Sequence, residues 1–253
     1  MNAPNLDVIF AMPHPDDLEI TCGGTIAKLV KLGHRVGVIH ITNGEPTPLG
    51  TPEERARETA EAAKILGIAH VETLPLTNRE LMDGPAARYA VATVFRRYRP
   101  KIVVGMAGRT PGASPDHYQA QLIVEASRFY SQLTKWDDRF GNTKPHRIDW
   151  LWYRPVLIAA DISHWHATFV VDTSDVIETK IAAISAYRSQ FPPERLKRLV
   201  HRIRSADANE GGKCGYEYGE LFAIPHPMPV SDPVAYFRNL QPMPGPPAVL
   251  QTP

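Results

Sequence analysis

Two patterns of hydrophobic positions alternate along the first half of the chain. The apolar runs Leu6–Met12 and Val36–Thr42 read as buried strands, because a strand covered on both faces needs no polar alternation, and Val71–Leu74 and Lys101–Gly105 read as a short third strand and a fourth. Between them lie stretches with apolar residues at helical spacing. One is Thr25–Leu32, stopped by Gly33. The next starts at Thr51 or Pro52, carries Glu53 and Glu54 in its first turn and stops at Gly67; the third is Pro85–Tyr98. Strands alternating with helices predict an α/β fold, a Rossmann-like doubly wound, mostly parallel sheet with helices on both faces.

The second half is less regular. A loop rich in Gly and Pro, Met106 to Pro115, precedes a helix over Tyr118–Leu133, and Trp136–Arg147 reads as irregular. Asp149–Tyr153, Pro155–Ala159 and Thr168–Asp172 have strand composition. Val176–Ser189 has helical spacing, and Glu194–Ser205 is a basic helix read as a solvated face. The tail from Pro225 reads as irregular. The expectation is one domain over 1–253, with a core over about 6–135 and a C-terminal cap over about 136–253.

Composition narrows the function classes. A chain of 253 residues, 43% of them hydrophobic, can bury a substantial core. The net charge of +1 argues against a nucleic-acid partner. Cys22 and Cys214 form no Cys-x-x-Cys pair, which suits a reducing compartment. The first residues lack the basic and apolar regions of a signal peptide, and no apolar run approaches the roughly 18 residues of a membrane span. These features predict a cytoplasmic protein with no membrane partner.

The candidate chemistry lies where the first strand meets the first helix. There Pro13-His14-Pro15-Asp16-Asp17 places one imidazole and two carboxylates at the carboxyl end of a strand, the ligand-binding edge of an open α/β sheet. The same residues also suit a plain polar turn with an Asp capping the next helix. A second imidazole, His117, follows the fourth strand, and in a doubly wound sheet the loops after strands one and four meet at the switch point. Two histidines and one carboxylate, His14, His117 and Asp17, form a catalytic zinc pattern with a position open for water or substrate. Asp16 is then available as a base. Asp116 is available to orient a ring nitrogen, or merely to help start the next helix.

These motifs carry a family resemblance. Met12-Pro13-His14-Pro15-Asp16-Asp17-Leu18-Glu19, Cys22-Gly23-Gly24-Thr25 and Pro115-Asp116-His117 are similar to motifs of the zinc-dependent N-acetylglucosaminyl deacetylases, the LmbE/PIG-L-like proteins. Weaker matches, among them Leu76–Leu81, Val171–Asp175 and Gly219–Phe222, extend it over most of residues 6 to 224. The resemblance implies removal of an N-acetyl group from a GlcNAc-type sugar or glycoconjugate, or cleavage of a related amino-sugar amide. It implies His14, Asp17 and His117 as Zn2+ ligands and Asp16 as general base. Arg55, Asn78 and Arg79 match positions lining the sugar pocket. The resemblance also implies a homo-oligomer, a trimer or hexamer, in which a neighbour's C-terminal segment could close the site.

One position departs from the pattern. Family members usually carry a histidine three residues before the last ligand, where this chain has Ser114. A serine hydroxyl donates a hydrogen bond but is no cationic acid near neutral pH. His164, His166 and His226 are the candidate substitutes, with His226 preferred. The departure also leaves open a non-hydrolytic metal- or sugar-binding protein on the same scaffold. A dinucleotide-binding protein is disfavoured, since Gly23-Gly24 is no Gly-x-Gly-x-x-Gly.

Overall fold

The computed structural model describes residues 5–155 and 167–240. The four early strand segments become β1 (Val8–Met12), β2 (Val36–Thr42), β3 (His70–Leu76), a half-exposed strand at the sheet edge, and β4 (Ile102–Ala107). They join β5 (Trp150–Pro155), β6 (Ala167–Asp172) and β7 (Gly219–Ile224) in a seven-stranded sheet of order β3-β2-β1-β4-β5-β7-β6. The first five are parallel, and β7 alone runs antiparallel to its neighbours β5 and β6. Chain order reverses between β1 and β4, so the expected switch point lies there.

Strand side chains alternate between two cores. Ile9, Ala11, Ile39 and Val103 face α3 (Pro85–Tyr98) and α4 (Asp116–Tyr130) through Val91, Phe95 and Ile123. Val8, Phe10, Val38 and Val104 face the opposite layer, α1 (Asp17–Lys31), α2 (Pro52–Leu66), α5 (Ile177–Ser185) and α6 (Pro193–Gly212), through Leu18, Ala62, Ile184 and Ile203. Strands buried on both faces are what the continuous apolar runs demand. Thr51 caps α2 with a capping box through Glu54, and Gly67 ends it at φ 71°.

Several boundaries differ from the sequence reading. The first helix begins at Asp17, eight residues before Thr25, and runs through the glycine pair. Its glycines are packing positions. A Cβ on Gly24 would lie 2.8 Å from Thr173 Cγ2, and one on Gly23 would lie 3.0 Å from Lys180 Cγ. The Gly24 and Thr25 amides donate to the two oxygens of buried Glu220 at 2.9 and 2.7 Å. Glu220 also accepts from Lys180 Nζ at 2.7 Å, and Lys180 donates again to Asp207 at 2.7 Å, with all three side chains fully buried. Arg154, equally buried, donates to the Thr21 carbonyl at 2.6 Å and to Glu210 at 2.8 Å. The later elements thus hold α1, and with it the motif that starts it, against β7.

The strand expected over Pro155–Ala159 keeps only Pro155 among the described residues, and 156–159 lie outside them. A short 3-10 turn, Asp137–Phe140, stands in the segment read as irregular, and a six-residue helix, α7 (Pro233–Arg238), stands in the tail. The basic helix is longer than Glu194–Ser205, and the helix expected over Val176–Ser189 is shorter. Among the described residues no helix is long and apolar enough to cross a membrane.

Candidate metal centre at the sheet switch point

The site grows out of the turn between β1 and α1. Thr42 ties that turn to β2, its amide and hydroxyl donating to the Pro13 carbonyl at 2.9 and 3.0 Å. The turn closes on itself when the His14 amide donates to Asp17 Oδ2 at 3.0 Å. Asp16 stands at the helix N-terminus with φ 86° and makes no capping hydrogen bond, so the plain-cap reading of this Asp does not hold. A left-handed backbone at a non-glycine residue is strained, and here it accompanies the chemistry.

Three side chains converge. His14 Nδ1 lies 3.0 Å from Asp17 Oδ2, and His117 Nε2 lies 3.5 Å from Asp17 Oδ1. Donor atoms of His14, Asp17 and His117 all lie within 4.8 Å of one another. Both remaining ring nitrogens are held from outside. Asp116 Oδ2 approaches His14 Nε2 at 3.3 Å and accepts the Arg79 amide at 2.7 Å. Thr110 Oγ1 lies 3.1 Å from His117 Nδ1. Carboxylate and hydroxyl partners of this kind fix the tautomer and aim of a metal-binding imidazole. Two imidazoles and a carboxylate, each held by a further partner, form a donor set that fits a divalent metal ion.

The electrostatics follow the geometry. Burial opposes charge on His14, but Asp17 and Asp116 more than offset it and raise its pKa to about 10. Burial likewise pushes Asp17 upward, and the two histidines outweigh it and hold the carboxyl far below the usual range. Burial lifts Asp16 to about 7 against the opposing pull of Arg55. Arg55 Nη2 donates to Asp16 Oδ2 at 3.2 Å and to the Pro15 carbonyl at 2.6 Å. Asp16 Oδ1 has no hydrogen-bond partner among the described residues.

Other expected site residues have specific places. Asn78 is buried and its amide donates to the Gly44 carbonyl at 2.7 Å, tying the loops after β2 and β3 together. Arg79 has φ 68°, offers its amide to Asp116 and has an exposed side chain. Ser114 Oγ accepts the Asp116 amide at 3.3 Å, so it helps start α4. His226 is not brought to the site within its own chain. Because β7 runs antiparallel, Ile224 ends at the amino edge of the parallel strands, and His226 packs against Trp150 there with ring centroids 5.2 Å apart. Its preferred role is therefore corrected for a single chain. His164 and His166 lie outside the described residues.

Sequence reasoning missed Thr110, Glu19 and Tyr187. Tyr187 donates to buried Glu19 at 3.0 Å, its ring lies 5.8 Å from the Arg55 guanidinium, and burial pushes Glu19 up to about 8. Glu19 sits in the quoted motif but reads as an ordinary first-turn acid. Thr110 has no local signal, since its role depends on a turn of loop. Its hydroxyl yields a first prediction. Thr110→Val leaves His117 Nδ1 without its partner and is expected to weaken divalent-metal affinity about tenfold or more, while Thr110→Ser retains it, as read by chelator competition.

Comparison with known proteins follows the same lines. Residues 9–127 match the family model of PIG-L, described as GlcNAc-PI de-N-acetylase. The chain is 29% identical over 227 residues to a diacetylchitobiose deacetylase of Thermococcus kodakarensis, covering 84% of this chain and 80% of that protein. A conserved protein of Thermus thermophilus superposes with a TM-score of 0.74 at 33% identity, over 89% of this chain and 97% of that one. The N,N'-diacetylchitobiose deacetylase of Pyrococcus horikoshii gives a TM-score of 0.75 at 27% identity, over 86% of this chain and 82% of that one.

Proposed function

The chain belongs to the PIG-L family, and on that premise we propose that it is a zinc-dependent deacetylase removing the N-acetyl group from a GlcNAc-type amino sugar or glycoconjugate. The observation that carries this reading is the convergence of His14, Asp17 and His117, with the Asp16 carboxylate beside them. His14 Nδ1, Asp17 and His117 Nε2 would hold the ion. Zinc is the proposed metal; the same donors also accept iron(II), cobalt and nickel. When bound, it supplies Lewis acidity to the acetamide carbonyl and acidifies water toward a pKa of about 7.

The chain's own groups supply the rest. Asp16 accepts a proton from the attacking water at Oδ1, while Arg55 holds Oδ2 and fixes the carboxyl's direction. As the C–N bond breaks, Asp16 returns that proton to the leaving amine, so acetate and free amine are formed. This double duty is assigned to Asp16 because Ser114 is no cationic acid and His226 of the same chain is at the other sheet edge. Arg55 and Asn78 already serve Asp16 and Gly44, which leaves the exposed Arg79 as the sugar-facing group of the three expected.

We also propose a homo-oligomer, a trimer or hexamer, in which a second copy's C-terminal segment closes the site. The exposed apolar side chains Val234, Phe237 and Leu240, on and just after α7, support it. Amine release from N-acetylglucosamine and diacetylchitobiose, detected with fluorescamine, tests the activity. Release is expected with zinc and not with chelator. Release that persists after metal removal would overturn the metal-dependent reading.

A further inference from the structure

A cavity of about 470 Å3 lies at the amino edge of the parallel strands, the edge opposite the metal centre, between the second half of α4 and the start of β5. Two arginines line it. Arg128, on α4, is half-buried. Its Nε and Nη2 donate to the Ile148 and Asp149 carbonyls at 3.3 and 3.1 Å, and its Nη1 has no partner among the described residues. Arg147, on the segment entering β5, stands exposed at the rim and makes no hydrogen bond or ion pair with any described residue. Burial holds the Arg128 guanidinium below its ordinary pKa and the charge of Arg147 adds to this, an effect that nearby Asp149 only partly offsets. His226 forms a third side. Its ring packs on Trp150, and its Nε2 is buried with no hydrogen-bond partner among the described residues.

The rest of the lining narrows the ligand. Glu125 is the one carboxylate among the described residues that line the cavity, and its Oε1 is taken by Gln121 Nε2 at 3.0 Å and by the Tyr153 hydroxyl. Ile148 and Leu151 give a buried apolar wall, and the exposed Phe129 ring stands at the mouth. Two guanidiniums without a paired carboxylate and a buried ring nitrogen without a partner are complementary to an oxyanion, and the volume is that of a small-molecule site. We propose that this cavity is a second ligand site, separate from the metal centre, for a small organic anion: a carboxylate or phosphate monoester on a flat apolar body. The oxyanion meets Arg128 Nη1 and Arg147 and accepts from His226 Nε2, and the body lies against Phe129, Ile148 and Leu151. The site stands independently of the deacetylase reading. One charge-assisted contact of this kind is worth about ten- to a hundredfold in affinity.

Calorimetry on the zinc-loaded, full-length protein tests it. The probes are benzoate, phenyl phosphate, inorganic phosphate and, as the neutral counterpart, benzyl alcohol. Oxyanions also bind zinc, so each titration is repeated on Arg147→Ala, and the site is the binding that this substitution removes. Arg147 makes no contact that holds the fold, so the variant is expected to melt at the wild-type temperature. Benzoate or phenyl phosphate is expected to bind about tenfold or more tightly than benzyl alcohol, and which of them does so separates carboxylate from phosphate. Arg147→Ala should lower that affinity about tenfold or more and leave benzyl alcohol unchanged. His226→Phe, which keeps a ring against Trp150 and removes Nε2, should lower it as well. Anions that bind no better than benzyl alcohol, or whose affinity survives Arg147→Ala because they sit on the metal, would overturn the site. Phenyl phosphate no tighter than inorganic phosphate, with benzoate no tighter than benzyl alcohol, would overturn the apolar-bodied ligand class.

Discussion

Asp16→Asn lowers turnover of an N-acetylated amino sugar by roughly 10²- to 10⁴-fold, the range of a positioned general base, while zinc content stays near that of the wild type. The amide keeps the size of the carboxyl and its contact to Arg55 through the remaining oxygen, but cannot accept a proton. Asp16 is outside the set of donor atoms that converge, so its loss leaves His14, Asp17 and His117 in place. Steady-state kinetics with metal analysis on the same sample check this. A fall in kcat with little change in KM is the expected split, because the proton transfer belongs to the chemical step. An Asp16→Asn enzyme within about threefold of wild type would remove Asp16 as the base and shift attention to Glu19 and Tyr187 behind it.

The largest effect on stability is expected at Lys180. Lys180→Met leaves Asp207 and Glu220 buried with their shared cation removed, a change that costs about 3–5 kcal/mol. Urea unfolding at pH 7 measures it. The pH dependence has a definite sign. Burial already raises Asp207 to about 6, and losing Lys180 raises it further and removes the strongest pull that holds Glu220 below its ordinary value against burial. A carboxyl whose folded pKa is raised stabilises the fold below that pKa and withdraws this as pH rises through it. The deficit is therefore largest near neutrality and shrinks toward pH 5. Because Glu220 also receives the Gly24 and Thr25 amides, the same substitution loosens α1 and weakens metal binding.

Much of this arrangement is legible in the residues. Continuous apolar runs mark strands buried on two faces, and their alternation with helices places His14 and His117 at one sheet edge, where they are found. What local pattern cannot carry is the rest. The start of α1 is obscured because Gly23-Gly24 reads as a break, whereas the pair is set by the bulk of Lys180, Thr173 and Glu220 packed across it. β7 is missed because its register depends on partners far away in sequence. Its antiparallel direction, invisible in composition, takes His226 to the wrong edge.

Asp116 shows the same limit at the scale of one turn. Neighbours on a helix point about 100° apart, so the carboxylate next to His117 in sequence supports His14 instead, and His117 takes its partner from Thr110. The departure at Ser114 was legible as a lost acid, but not that its hydroxyl would accept the amide of the residue starting α4.

The most direct test of the account is metal content by mass spectrometry in the wild type, Asp16→Asn and His117→Ala, each purified and reloaded with zinc, beside amine release from diacetylchitobiose. The expected result is about one zinc per chain in the first two and little in the third, with amine release by the wild type alone. Stoichiometric zinc retained by His117→Ala, or wild-type turnover unaffected by stripping the metal, would contradict the assignment of this cluster as the catalytic metal centre.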